Sequence, residues 1–209
     1  MMNDLEIALG YRASDWKALS LENMNEPGAH DWSKAFKIFD KRIRVRFFDP
    51  IDALLELERG NAKKTFGFAV LAIDCLVIET LQGFIDGIEN HNAQSKALFT
   101  KFLKNWKAFT VCVPPNDDAT KRANEFYVDC RCALHHSGAT GSTFRVRAVG
   151  PTFVFSSARV EVNRILLHSH LKQAFDQYLF DLSKPENSDL RRKFRTKMDY
   201  ICRTFDTTD

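Results

Sequence analysis

The longest apolar stretch of the chain is residues 66–88, FGFAVLAIDCLVIETLQGFIDGI. It predicts a helix from about residue 64 to residue 87 that is apolar on nearly all sides, and such a helix belongs in the centre of a folded core. Four polar side chains interrupt it: Asp74, Glu79, Gln82 and Asp86. Because a membrane-spanning helix carries few such groups, the stretch favours a buried helix and no membrane segment.

The composition is that of a soluble globular protein. Of the 209 residues, 44% are hydrophobic and 27% are charged, which argues against a disordered chain. The 18 Phe residues predict a core filled by large rings. The net charge of +3 is too small to indicate nucleic-acid binding by itself. The first residues lack a basic region followed by an apolar run, so we expect no secretion signal and a cytoplasmic protein.

The cysteines are Cys75, Cys112, Cys130, Cys132 and Cys202. An odd number without the spacing of a disulfide framework is typical of reduced thiols in a cytoplasm. Cys130 and Cys132 lie near two histidines, but four zinc ligands cannot be assembled at the usual spacings. We therefore expect no metal and no cofactor, with Cys75 and Cys130 buried as small apolar side chains.

Helical patterns cover most of the remaining chain. Residues 1–30 are expected to form an irregular N-terminal arm with a turn at residues 25–28, and residues 31–209 one helical domain. From Trp32 to Phe47, apolar residues recur at helical spacing until Pro50, which is expected to end or kink that helix. A short helix should follow and stop at Gly60.

A different pattern lies at about residues 143–162, where apolar and polar residues alternate. Two runs separated by Gly150 and Pro151 predict a β-hairpin, with Val160–Val162 as a third short strand. The predicted fold class is therefore all-α (mainly α). We expect a compact bundle of five or six helices with a small β-hairpin inserted after the helix that carries the candidate site.

The candidate site is the stretch DCRCALHHSG, residues 129–138. It ends an amphipathic helix for which residues 116–118 offer an N-cap. On a regular helix, Arg131 and His136 lie near opposite borders of the polar half, with His135 between them. A guanidinium near an imidazole suits phosphate chemistry. An ordinary solvated polar face is the alternative interpretation.

The residues RCALHHSG at 131–138, preceded by Phe126 and Tyr127, resemble the signature of the HEPN superfamily. In that superfamily a helix carries an Arg, four to six further residues and a His. Three more fragments resemble uncharacterised bacterial members: RFFDPI at 46–51, LVIETL at 76–81 and LRRKF at 190–194.

Two features depart from the family pattern. Cys132 follows the arginine where a polar residue is usual, and the β element is additional to a minimal HEPN bundle.

The resemblance implies metal-independent RNA cleavage at a site shared by two subunits. His136 would act as general base toward a ribose 2′-hydroxyl or as general acid toward the leaving oxygen. Arg131 would stabilise the negative charge of the transition state, giving a 2′,3′-cyclic phosphate and a 5′-hydroxyl. The two residues diverge by about 140° on a regular helix. A homodimer is therefore expected, because two copies would bring four such groups together.

Three residues are expected to support the catalytic pair: His135, Glu79 and Asp129. His135 lies closer in angle to Arg131 than His136 does and is a candidate RNA contact. Glu79 lies within the most apolar helix. It either adjusts the motif arginine or forms a buried ion pair with Arg42 or Arg46.

Arg191, Arg192 and Lys193 form the densest basic cluster in the sequence. They are candidate RNA-binding residues, with a solvated helix face as the alternative.

Three functional hypotheses remain open. The first is a ribonuclease in a toxin or phage-defence context with a neutralising protein partner. The second is a catalytically inactive HEPN-like module that binds RNA, nucleotides or a protein. The third is a purely structural helical protein.

Overall fold

A computed structural model of the chain describes residues 4–25, 30–59, 61 and 65–204. Within these residues the protein is predominantly helical with small sheets, so the prediction of a mainly-α chain is confirmed. The predicted turn at residues 25–28, the helix stop at Gly60 and the helix start at residue 64 fall wholly or partly outside the described residues.

The helices in chain order are α1 (Ala13–Lys17), α2 (His30–Ile43), α3 (Asp49–Arg59), α4 (Gly67–Asp86), α5 (Ser95–Asn105), α6 (Lys107–Thr110), α7 (Ala119–Phe126), α8 (Ala133–Ser137), α9 (Arg164–Ser183) and α10 (Ser188–Thr204). Two π-helical segments lie between neighbours: π1 (Arg44–Phe48) between α2 and α3, and π2 (Tyr127–Cys132) between α7 and α8. The strands are β1 (Glu6–Ala8), β2 (Tyr11–Arg12), β3 (Phe144–Arg147), β4 (Phe153–Phe155) and β5 (Val160–Asn163).

Contacts divide the chain into two compact units. Unit 1 comprises Met1–Asp49, Gly83–His91 and Phe175–Asp209, and unit 2 comprises Pro50–Gln82 and Asn92–Ala174. The candidate catalytic stretch belongs to unit 2. The prediction of one helical domain after residue 30 stays a prediction.

The N-terminal segment of unit 1 is more ordered than its sequence pattern predicts. Strands β1 and β2 pair antiparallel, Ile7 is fully buried, and the Trp16 indole donates a hydrogen bond to Asp199 at 2.7 Å. The expectation of an irregular arm is therefore wrong for these residues, because buried apolar side chains hold them to α10. Phe39 is central to the core of this unit and contacts the rings of Phe84, Phe175 and Phe194.

Pro50 does not end the helix that precedes it. The backbone N–H of Asp49 donates to the carbonyl of Arg44, five residues earlier, and α3 continues from Asp49. Proline is tolerated in the first turn of a helix, where its missing N–H leaves no bond unmade. The predicted break is therefore replaced by the π-helical segment π1.

Helix α4 confirms the predicted central helix. Its side chains Val70, Leu71, Val77 and Ile78 are fully buried. By length and composition α4 could cross a membrane, with a mean hydropathy of 1.9 over its most apolar window, yet 61% of that window is buried inside the protein. Such burial is typical of the core helix of a soluble protein.

The second sheet has the strand order β3-β5-β4, with β3 parallel and β4 antiparallel to β5. The predicted hairpin between the first two runs is therefore wrong, since β4 pairs with β5 and β3 joins the other edge of β5. Aromatic rings on one face of the sheet pack on the helices of unit 2. Phe126 stacks on Phe144 at 5.4 Å, and Phe109 contacts Phe153 at 5.1 Å.

A buried histidine–carboxylate pair lies inside unit 2. Nδ1 of His168 is 2.9 Å from Oδ1 of Asp74, and both side chains are almost completely buried. Nε2 of His168 lies 3.3 Å from Asp52, which also binds Lys172 at 2.6 Å. Burial raises the pKa of Asp74 to about 6, although His168 acts to lower it.

This pair gives a pH-dependent prediction. The folded protein holds the Asp74 proton up to about pH 6, whereas the ordinary pKa of this carboxyl is 3.8. Between these values Asp74 takes up a proton on folding, so its contribution to the free energy of unfolding falls as pH rises through this window. Asp74→Asn should remove that fall. Urea unfolding of the wild type and of Asp74→Asn between pH 4 and pH 7 measures how the free energy of unfolding changes with pH. If the two plots of this free energy against pH are parallel, the assignment to Asp74 is wrong.

Candidate active site

The candidate helix runs through α7, π2 and α8 and has the caps that its sequence predicts. Oδ1 of Asp118 accepts a hydrogen bond from the backbone N–H of Thr120 at 2.7 Å, which confirms the predicted N-cap region. At the other end, Gly138 has a φ of +60°, and its N–H donates to the Leu134 carbonyl at 3.1 Å. A left-handed residue of this kind is a common helix stop that favours glycine.

Segment π2 changes the predicted geometry of the motif. Arg131 lies inside π2, where the chain turns less per residue than in a regular α-helix. The angle of about 140° between Arg131 and His136 holds for a regular helix, so it does not apply unchanged here, and the dimer expected from it stays a prediction. Isolated π-helical turns are frequently found at functional sites.

Arg131 forms an ion pair with Glu79 of α4. Nη2 and Nε of Arg131 lie 3.1 Å and 3.3 Å from the same Glu79 oxygen, Oε2. The side chains of Arg131 and Glu79 are 22% and 9% exposed. Although partial burial acts to lower the pKa of Arg131, Glu79 and other neighbours raise it above its ordinary value. Sequence analysis considered two partners for Glu79, the motif arginine Arg131 or the pair Arg42 and Arg46. The structure forms the contact with Arg131.

Two further side chains complete this polar cluster. The Ser95 hydroxyl donates to Oε2 of Glu79 at 2.7 Å and lies 3.3 Å from the Tyr127 hydroxyl. The guanidinium of Arg131 lies over the Tyr127 ring at 5.7 Å, within the range of a cation–π contact. Burial raises the pKa of Tyr127. Sequence analysis gave no role to Ser95 and named Tyr127 only as a residue that precedes the HEPN-like signature.

A pocket of about 180 Å³ opens beside Arg131. It is lined by Ala72, Cys75, Leu76, Arg131, Leu134 and His135. Cys75 is buried in its wall, with its sulfur 4.0 Å from that of the buried Cys130. This confirms the prediction that both cysteines are buried, and burial raises the pKa of Cys130 well above its ordinary value. The pocket thus has an apolar wall, a guanidinium and an imidazole.

The two histidines lie in α8, on the last turn of the motif helix. Both side chains are exposed, and their ring centres are 5.0 Å apart. His135 lines the pocket together with Arg131, whereas His136 contacts the His135 ring. The structure therefore groups Arg131, Glu79 and His135, with His136 at the edge of this group.

Asp129 contacts the loop that follows α8. Its carboxylate accepts a hydrogen bond from the Thr143 hydroxyl at 3.0 Å, and its carbonyl accepts one from the N–H of Gly141 at 2.7 Å. A Cβ on Gly141 would lie 2.7 Å from the Asp129 carboxylate, so this position requires glycine. Asp129 therefore fastens the loop after α8, and its assignment as a supporting residue of the catalytic pair stays a prediction.

One residue of the predicted RNA-binding cluster, Arg191, is excluded from that role. Arg191 is 1% exposed, and its guanidinium donates to the backbone carbonyls of Met24, Leu182 and Ser183. A buried side chain in this setting cannot reach a nucleic-acid backbone. Arg192 is exposed, Lys193 is partly exposed, and both pair with Asp189. Their role in RNA binding stays a prediction.

Among the described residues, no group of three or more His, Cys, Asp and Glu side chains is placed to hold a metal ion. The candidate site is therefore characterised by its arginine, its two histidines and one carboxylate. Comparisons with protein-family models, with curated proteins and with solved structures give no match.

Proposed function

We propose that the protein is a HEPN-like, metal-independent endoribonuclease whose reaction is carried by Arg131 and His136. Its site would be formed by two copies of the chain. The single observation that supports the proposal most is the way Glu79 holds Arg131. Both contacts use one edge of the guanidinium, and Nη1 has no hydrogen-bond partner among the described residues. A fixed guanidinium with free donors at a pocket mouth suits a phosphate oxygen.

The proposed reaction is an internal transfer at phosphorus. The 2′-oxygen of the substrate ribose forms a bond to phosphorus while the bond from phosphorus to the 5′-oxygen breaks. His136 takes the proton of the 2′-hydroxyl or supplies the proton that the leaving 5′-oxygen requires. Arg131 stabilises the added negative charge on the phosphoryl oxygens. The products are a 2′,3′-cyclic phosphate and a 5′-hydroxyl.

The proposed pairing of two copies supplies what one copy lacks. In a single copy His136 can carry only one of the two proton transfers, and its neighbour His135 lines the pocket beside Arg131. A two-fold axis through this face would provide a second His136 for the other transfer. The exposed apolar side chains Phe68 and Leu76 lie eight residues apart on α4, and Leu76 also lines the pocket beside Arg131. Apolar groups at this place favour contact with a second copy over contact with water.

The test is an incubation of the purified protein with a single-stranded RNA in EDTA. We expect cleavage fragments that end in a 2′,3′-cyclic phosphate and begin with a 5′-hydroxyl, both identified by mass spectrometry. Sedimentation of the same sample should show a dimer. Intact RNA at micromolar protein, or products with a 5′-phosphate, would refute the proposed reaction.

The catalytically inactive HEPN-like module is the second candidate function. The observation that favours it is the ion pair itself, because the Glu79 carboxylate neutralises part of the charge that Arg131 offers to phosphate. This candidate predicts binding of RNA, a nucleotide or a protein at the same face without cleavage. The EDTA incubation therefore separates the two when it is combined with a binding measurement.

A further inference from the structure

The second sheet of unit 2 has one face packed on helices and one face that points outward. Arg145, Arg147 and Glu161 lie on the outward face, and Arg159 lies two residues before Glu161 in the chain. We call these four residues the arginine face. Its three guanidinium groups and one carboxylate give it a net charge of +2.

Glu161 organises this face from its centre. Its side chain is 5% exposed, and it binds Arg147 at 2.7 Å and Arg159 at 2.5 Å. The two arginine side chains remain 47% and 55% exposed. A buried carboxylate of this kind fixes two long side chains in place while part of each guanidinium still faces solvent. The conformational entropy that binding would otherwise cost is thereby reduced.

Arg145 is exposed and forms no ion pair with Glu161 among the described residues. Its Nη1 donates to the carbonyls of Ser142 and Phe144 at 2.8 Å and 3.0 Å. The same loop is fastened to Asp129 by Thr143 and Gly141. Because Asp129 and Arg131 both belong to π2, these contacts tie the loop before β3 to the segment that carries the motif arginine.

The charge distribution along the chain points to the same region. No Asp or Glu occurs between Asp129 and Glu161, a stretch that includes Arg131, Arg145, Arg147 and Arg159. Unit 2 has 15 Lys and Arg residues against 10 Asp and Glu residues, whereas unit 1 has 15 against 17. The small net charge of the whole chain therefore conceals a basic unit, and the candidate active site belongs to that unit.

We infer that the arginine face binds the phosphate backbone of the RNA substrate. This inference rests on the proposed function and assigns the substrate contact to the β element rather than to α10. Arginine offers planar sets of N–H donors that match phosphate oxygens, and Glu161 occupies only part of each set. Phosphate contacts of this type position a strand without reading its sequence.

The test measures binding separately from cleavage. A labelled single-stranded RNA is titrated with His136→Ala protein, and fluorescence anisotropy is recorded at several salt concentrations. Arg145→Gln in this background should weaken binding about fivefold at 0.1 M salt and reduce the salt slope by about 0.7, the value for one phosphate contact on a single strand. Arg145→Lys should bind nearly as the parent does. Arg192→Gln, which removes an exposed arginine of unit 1, is the matched control and should have little effect.

Glu161→Gln is expected to strengthen RNA binding, whereas Arg145→Gln weakens it. This opposite change shows that an altered affinity is not caused by misfolding. The Glu161 substitution removes the one negative charge of the face, while the amide oxygen of Gln can still accept a hydrogen bond from a neighbouring arginine. The gain in positive charge should therefore outweigh the looser placement of the arginines, so RNA binding should tighten about fivefold, with a steeper salt slope. Its matched control is Glu56→Gln, which removes an exposed carboxylate that pairs with Arg59. A gain of affinity cannot come from loss of structure.

The outcomes also separate this inference from the proposed function. If the wild-type protein cleaves RNA while Arg145→Gln and Glu161→Gln bind as the parent does, the inference is wrong and the nuclease stands. If both variants change binding as expected but the wild type never cleaves, the arginine face stands and the nuclease is wrong. If the protein binds no RNA at 50 mM salt, both are wrong.

Discussion

His136→Ala is expected to lower the rate of RNA cleavage in EDTA by about 10²- to 10⁴-fold, the range for loss of a general acid or base. The variant should fold normally, because the His136 side chain is exposed and contacts the neighbouring His135 ring. His30→Ala is a matched control, since His30 is 93% exposed and lies in unit 1. Initial rates on a labelled RNA give the comparison.

Arg131→Ala should reduce cleavage by about 10²- to 10³-fold, as expected for loss of a group that stabilises transition-state charge. This change also leaves Glu79 without its guanidinium partner in a largely buried position, which costs stability. Arg131→Ala combined with Glu79→Gln removes that unpaired charge and should regain stability without regaining activity. Wild-type rates in either Arg131 variant or in His136→Ala would exclude these residues from the reaction.

His168→Leu is expected to lower the free energy of unfolding by about 3–5 kcal/mol at pH 7, the typical cost of removing one partner of a buried ion pair. The reason is Asp74, which is 0% exposed and has His168 at 2.9 Å. Without the imidazole, the carboxylate must stay charged in an apolar interior or take up a proton. The loss should therefore be smaller at pH 5, where protonation of Asp74 costs less.

Two variants control this prediction. His168→Leu combined with Asp74→Asn leaves no buried charge at the pair and should recover part of the lost stability. His170→Leu changes a partly exposed histidine two residues away and should cost much less. Urea unfolding followed by circular dichroism gives all three values. A loss below about 1 kcal/mol for His168→Leu, comparable to an ordinary surface change, would show that the pair contributes little to stability.

Features set by local chemistry were predicted well from the sequence. A long apolar run predicted the central helix α4, and the predicted N-cap region includes Asp118, which caps the motif helix. The buried positions of Cys75 and Cys130 followed from their places on apolar helix faces. In each case the deciding interaction lies within one or two turns of the residue, so the pattern is visible in the sequence.

Features set by distant partners were not predicted. Arg191 looked like one more basic residue of α10, but its carbonyl partners Met24 and Leu182 come from separate parts of the chain. The order of strands in the second sheet depends on how β3 reaches β5, which alternation of side chains does not encode. The π-helical segments depend on one shifted hydrogen bond, which hydrophobic periodicity does not record.

The candidate site combines features that depend on nearby residues with features that depend on distant ones. Arg131 and His136 are recognisable as a motif because they lie five residues apart on one helix. The partners Glu79 and Ser95 lie 52 and 36 residues from Arg131 in the chain. A carboxylate inside the most apolar helix was the only signal for Glu79, and Ser95 gave none.

The central claim is that two copies of the chain combine Arg131 and His136 into one metal-independent ribonuclease site. The most direct measurement is the cleavage rate per mole of protein in EDTA, recorded from nanomolar to micromolar protein. The account predicts a rate that rises with protein concentration, reaches a plateau as dimers form and disappears in His136→Ala. The absence of cleavage at every concentration, or a constant rate per mole that His136→Ala retains, would contradict it.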